Sequence, residues 1–222
     1  MKWPTTSELS ALVPLPEGYR FTELDRAMIP PLIAAIRVWH PAISVGVASC
    51  YLREDFYFNR VVLDGNVDRD VLVVPFTFDG ELAGVWSFER EIDSLAIYGR
   101  LIIIAPEHRG AKLAAITMKG TEELGRFMGA AFLYALATLK IPHAQRALEG
   151  AGYRLLGFFP GYDREEVAPG VVKRVYQAVY AKLLVSEDEV LRPDLRNLTP
   201  RARALYGLLF SDVPAAIGDF QR

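Results

Sequence analysis

Leu101 to Ala115, LIIIAPEHRGAKLAA, joins a run of buried-type β-formers through Pro106 to a short basic turn and then to helix-forming residues. A strand that hands the chain straight to a helix start leaves the first-turn N–H groups without intrahelical partners. It also aims the positive end of the helix dipole at the same spot. Arg109, Gly110 and Lys112 stand in the turn. Such a place can cup a pyrophosphate; the plainer alternative is a buried strand followed by a solvated basic turn.

Composition bounds the partners. The chain has 222 residues, 51% hydrophobic and 23% charged, which suits one generous soluble domain with an appendage. A net charge of -2 leaves no surplus of Lys and Arg for counterion release, so neither nucleic acid nor an anionic membrane is expected as a partner. Cys50 is the single cysteine and has no intrachain partner, which fits a reducing, cytoplasmic setting. The first residues have a broken apolar pattern rather than the core of a signal peptide, and no apolar run approaches the ~18 residues of a membrane span.

Along the chain, Pro4, Pro14, Pro16 and Gly18 predict an extended or partly ordered lead-in over residues 1–18. A strand at 19–24 precedes a helix carrying Leu32, Ile33, Ile36 and Trp39, with Pro30 and Pro31 in its first turn. The pattern from Ile43 to Asn59 is mixed, compatible with a helix and loop or with irregular structure. Val71 to Phe78 and Leu82 to Glu91 form a hairpin across an Asp-Gly turn, and a third strand runs from Leu95 to Ala105. Leu113, Ile116, Thr117, Gly120, Leu124 and Phe127 give the next helix its inward face, and Gly129 ends it. Ala130 to Leu139 is apolar throughout; its place between two helices favours a strand. A short helix at 142–151 and two strands, 153–159 and 171–184, follow, with PGYDREEVAPG as a long loop between them. The tail, 186–222, is expected to be a helical extension, with Thr199 as N-cap before Pro200 and Leu205, Leu208 and Leu209 as an apolar stripe that docks on the domain or on a partner.

This order, an α+β (mixed α/β) arrangement over residues 19–185, resembles the GCN5-related N-acetyltransferase (GNAT) superfamily, whose central mixed sheet is opened for coenzyme A and flanked by helices. In that family the strand before the loop ends in a hydrophobic triplet and a proline, matched by Ile102, Ile103, Ile104 and Pro106. The loop pattern is Arg or Gln, two residues, Gly, one residue, then Gly or Ala. Arg109 and Ala114 fit its ends, and Lys112 stands at the inner Gly. The later short helix usually carries an Asn and an Ala, then a Tyr four residues before a Gly-Phe pair. Ala144, Gly152 and Tyr153 fit, while Ile141 takes the Asn position and Leu148 that of the Tyr whose phenol often protonates the departing thiolate.

The resemblance implies an acyl-CoA dependent N-acyltransferase that moves an acetyl group from acetyl-CoA to a small-molecule or peptide amine by direct attack. It also allows a homodimer. On that reading Ile102, Ile103 and Ile104 meet the pantetheine and thioester, and Arg109, Gly110, Ala111, Lys112, Leu113, Ala114 and Ala115 hold the pyrophosphate. The catalytic candidates are Glu89, Tyr98 and His143. Glu89 shares a strand face with Glu91 and could serve as base, or simply line an exposed edge. Tyr98 lies on the strand that leads into the cofactor segment, as a pocket lining or a core aromatic. His143, with Gln145 as a polar neighbour, begins the short helix that flanks pantetheine, as a proton shuttle or a surface residue. His108 reads as packing and Cys50 as an inert thiol. Tyr162, Asp163, Arg164, Glu165 and Glu166 lie where family members bind acceptors, as amine-attracting groups or a solvated loop. The scattered histidines and lone cysteine have no metal-ligand spacing, and no metal is expected. The rival readings are a non-catalytic module that binds coenzyme A or a partner, and a purely structural domain.

Overall fold

A computed structural model describes residues 1–210. The chain divides into two compact units, Met1–Leu184 and a second that begins at Val185. The first contains helices α1 (Thr6–Leu12), α2 (Ile29–Trp39), α3 (Glu54–Arg60), α4 (Leu113–Met128) and α5 (His143–Gly150). Its strands are β1 (Tyr19–Phe21), β2 (Val71–Phe78), β3 (Glu81–Glu91), β4 (Ala96–Ile104), β5 (Phe132–Thr138), β6 (Arg154–Ala168) and β7 (Val171–Leu183). All seven strands form one sheet in the order β1-β2-β3-β4-β5-β7-β6. Neighbours are antiparallel except β4 and β5, which run parallel with α4 as the crossover between them.

Each face of the sheet carries its own apolar layer, so β2 is buried on both sides and reads as a continuous hydrophobic run. Leu72, Val74 and Phe76 pack with Leu9 of α1, Leu124 and Met128 of α4 and Leu148 of α5. Val71 and Val73 point the other way, to Ile29, Leu32 and Ile36 of α2 and Tyr57 of α3.

Several expectations change. Residues 1–18 are not an extended lead-in: Thr5 and Glu8 close a reciprocal capping box that starts α1, and Trp3, Leu9 and Val13 are buried. The prolines bracket this helix without entering it. The region 43–59 resolves into 3₁₀ turns at Pro41–Ser44 and Val47–Leu52 followed by α3. Phe127 turns outward, 45% exposed, while Met128 takes the inward place in the last turn of α4. The stretch 160–170 is not a long loop. β6 runs on to Ala168, and the register shift between Phe159 and Asp163 absorbs Pro160–Gly161 as a bulge, so the reversal falls at Pro169-Gly170.

The second unit contains 3₁₀ turns at Glu187–Glu189 and Leu195–Asn197 and helix α6 (Pro200–Leu209). The Thr199 side chain caps α6 by accepting from the Ala202 N–H at 3.3 Å. Leu205 and Leu208 of the expected stripe are exposed. The part of the expected extension beyond residue 210 lies outside the described residues.

Candidate active site

The parallel pair β4–β5 is bonded only from Ala96–Phe132 to Gly99–Ala135. Beyond that point the two strands part. β4 stays with β3, and β5 stays with β7, to which it is paired through Thr138–Gln177. A bulge sits at the fork: Ser87 of β3 pairs with Leu101 and Phe88 with Gly99, which leaves Arg100 as the extra residue of β4. Every second peptide group of β4 past the fork therefore turns toward a gap instead of a neighbouring strand.

The gap opens into a cavity of about 470 Å³. Its lining comes from both sides of the sheet: Ile43 and Leu101 from the α2 layer, and Met118, Thr121, Leu148 and Tyr153 from the α4–α5 layer. Only a sheet that has come apart allows this. Leu148 is 1% exposed, packed in the core where the resemblance would place a phenol. Tyr153 is the phenol on this wall, and burial raises it above its ordinary range, so it stays protonated.

Past Ile104, Ala105 follows β4 into a single 3₁₀ turn, Pro106–His108, and α4 starts at Leu113. The N–H groups of Leu113, Ala114 and Ala115 belong to the first turn and have no intrahelical acceptor. Gly110 has φ 141° with open space where a Cβ would stand. Lys112 holds the left-handed conformation, φ 59° and ψ 12°, at the helix N-cap, the geometry for which glycine is usual. Arg109 donates to the carbonyls of Ile104 at 3.2 Å and Trp39 at 3.0 Å, so its guanidinium ties the turn to β4 and α2. His108 packs as expected, its Nδ1 2.9 Å from the Tyr19 hydroxyl and its ring 5.3 Å from that of Phe78.

Of the triplet, Ile102 lines the cavity, whereas Ile103 is buried in the α2 layer. Ile104 packs on the α4 layer, and Leu113 is core by side chain. A second cavity of about 80 Å³ shares Arg100, Leu136 and Gln177 with the first. Tyr51, Tyr98, Tyr162 and Asp163 also line it. Asp163 accepts the Val47 N–H at 2.8 Å, which fastens the β6 arm over the 3₁₀ turn.

Arg100 organises this end. Its Nε donates to the Tyr51 hydroxyl at 3.2 Å, which donates to Ser87 Oγ at 2.7 Å, which donates to the Leu72 carbonyl at 2.9 Å. One Nη donates to Glu89, which also pairs with Arg60 at 2.8 Å. Burial works against the charge of Arg100, but the Tyr51 oxygen and Glu89 outweigh it and hold the guanidinium protonated. Tyr51 itself is pushed up to about 12, by burial first. Cys50 lies 3.7 Å from an Arg100 Nη, and burial raises its thiol, which keeps it protonated and a poor nucleophile.

The three catalytic candidates do not converge. Tyr98 lines the small cavity, stacks on Tyr134 at 4.8 Å and is raised by burial. Glu89 is its cross-strand partner but is clamped by two guanidiniums. His143 is exposed at the first position of α5, and Gln145 donates to the Thr138 carbonyl at 3.0 Å, joining that helix to β5. Glu165 is paired with Lys140 at 2.7 Å, and Glu166 accepts from Ser44. Sequence reasoning passed over Arg100, a charge inside the apolar run IYGRLIII, and Gln177, a lone amide in the stretch VYQAVYA. A polar residue where burial is predicted was the available signal.

No protein-family model matches the sequence, and no curated protein matches it in sequence. Solved structures do match its fold. The ribosomal alpha-N-protein acetyltransferase RimL in complex with coenzyme A superposes with a TM-score of 0.59 at 11% identity, covering 77% of this chain and 97% of that one. A spermidine N-acetyltransferase from Vibrio cholerae, in complex with CoA and spermine, gives 0.58 at 14%, over 76% and 96%. The self-immunity acetyltransferase MccE, in complex with acetyl-CoA and AMP, gives 0.57 at 13%, over 76% and 94%. This chain has the fold of the GNAT acetyltransferases.

Proposed function

We propose that the protein is an acyl-CoA dependent N-acyltransferase that transfers an acetyl group to an amine by direct attack. The observation that carries this reading is the parted β4–β5 pair, with a cavity at the gap lined by Ile102 of β4 and by Met118 and Thr121 of α4, the helix that follows β4. The residues present fit a long, anion-tipped thioester. Every second peptide group of Leu101 to Ile104 faces the gap and can pair with the amides of a pantetheine arm. The N–H groups of Leu113 to Ala115, with the Lys112 ammonium, suit a pyrophosphate. Arg109 acts there by holding the turn.

When bound, the thioester supplies an activated acyl carbon; the protein supplies position. Tyr98, Tyr162 and Asp163 in the small cavity would meet the acceptor, the carboxylate and aromatic faces drawing in an amine. Arg100 is anchored by Glu89, which gives that carboxylate a positioning part rather than a base's part. His143, exposed on α5, is left to the outer wall, where coenzyme A would pass. Lone Cys50 remains consistent with a cytoplasmic setting, and among the described residues no helix is long and apolar enough to cross a membrane.

The test is thiol release from acetyl-CoA with a panel of small amines and N-terminal peptides. Turnover with at least one amine is expected. Tight coenzyme A binding without turnover would favour the non-catalytic rival, and no binding of any acyl-CoA would contradict both.

A further inference from the structure

Five buried polar side chains lie in the first unit among the described residues. Ser87, Arg90, Thr117 and Thr121 are hydrogen-bonded within the protein. Gln177 is not: it is 7% exposed, in the middle of β7, and no described group hydrogen-bonds to its amide. No fully enclosed side-chain polar atom of the described residues lacks a partner, so the Gln177 amide must open onto space. That space is the two cavities, both of which it lines, beside the fork where β4 leaves β5. An unpaired amide so placed costs stability until something binds to it.

We infer that Gln177 is a catalytic residue that contacts the reacting carbonyl. This rests on the acyltransferase reading. If the thioester arm fills the large cavity and the amine the small one, the carbon that joins them lies where both cavities share a wall. Of the side chains on that wall, Leu136 has no polar atom, and the Arg100 guanidinium is committed to Tyr51 and Glu89. Gln177 alone of the three carries polar atoms with no hydrogen bond to any described group. As the amine lone pair forms the C–N bond, the carbonyl π pair moves onto oxygen, and a Gln177 Nε2–H donates to that oxygen. When this tetrahedral carbon collapses, the oxygen pair re-forms the carbonyl, the C–S bond breaks and its electron pair leaves on sulfur. The proton lost by nitrogen ends on that sulfur, through water. Gln177 keeps its own protons throughout, and its contribution is a donor held ready beside the reacting carbonyl.

Gln177→Met keeps the volume and removes the hydrogen bonds; Gln177→Glu keeps the shape and removes the donors. Relative to the wild type, kcat is expected to fall about 100-fold in both, with KM for acetyl-CoA changed by less than about threefold. The carbonyl stretch of bound, ¹³C-labelled acetyl-CoA should move to higher wavenumber in Gln177→Met. Its ligand-free melting temperature should hold or rise, because an unpaired amide has gone; a role confined to structure would lower it. A kcat within about twofold of wild type, or a loss confined to KM for the amine, would overturn the inference while leaving the acyltransferase reading intact. A wild-type protein that neither binds nor consumes acetyl-CoA would overturn the reading itself.

Discussion

Lys112 sets a cost to the fold against a proposed use at the site. Its φ of 59° lies in the left-handed region, which costs a side-chain-bearing residue roughly 1–2 kcal/mol. The Lys112→Gly variant should relieve that strain, partly offset by the greater freedom of an unfolded glycine, for a net gain of up to ~1 kcal/mol in denaturant unfolding. The same variant should bind coenzyme A more weakly and with a shallower salt dependence, because an ammonium beside the phosphates is gone. Lower stability together with unchanged affinity would refute both halves. Arg109 makes a different prediction: since its hydrogen bonds go to two carbonyls, Arg109→Ala should loosen the turn and weaken coenzyme A binding about tenfold, equivalent to ~1.4 kcal/mol. Calorimetric titration checks this, and an unchanged dissociation constant would separate the turn from the nucleotide.

At the scale of elements, much of the architecture was legible because the signals were local. The Asp-Gly turn fixed the β2–β3 hairpin, Gly129 with φ 72° ended α4, and the apolar stretch at 130–139 did form a strand. The misreadings share a cause: tertiary context decided between local options. Prolines at 4 and 14 hid a capped helix that lies between them, and a Pro-Gly pair inside β6 looked like the start of a long loop although the ladder to β7 carries it as a bulge. The fork was legible only through the resemblance, since the parting of β4 from β5 is set by partner strands far along the chain. Leu9 makes the α1 account measurable: it is 2% exposed against the sheet, so Leu9→Ala should cost roughly 3 kcal/mol of unfolding free energy. A loss under ~1 kcal/mol would mean the helix is dispensable packing. Glu122 joins elements by charge, accepting from Lys182 of β7 at 2.5 Å and Arg126 of α4 at 2.8 Å. Those hydrogen bonds hold its carboxyl below the ordinary 4.5. A lowered pKa stabilises above the unfolded value and is lost as pH falls through the folded one. Glu122→Gln should therefore be less stable than wild type at neutral pH, with the gap closing as pH drops below 4.5 in urea titrations. A gap that persists unchanged into acid would assign the effect to packing instead.

For the whole molecule, a seven-stranded sheet with helices on both faces comes apart where β4 leaves β5, and the cavity of about 470 Å³ lies there. The same architecture recurs in acetyltransferases at 11–14% identity, so the fold is retained where almost every side chain differs. On the proposed reading, function rests on backbone groups at the fork and on a few polar residues, Arg100 and Gln177 among them. The most direct measurement is a crystal structure of the protein grown with acetyl-CoA. The account predicts the pantetheine arm between β4 and β5, the pyrophosphate against residues 109–115 and the thioester carbonyl beside Gln177. A closed fork, with the nucleotide bound elsewhere or absent at saturating concentration, would contradict it.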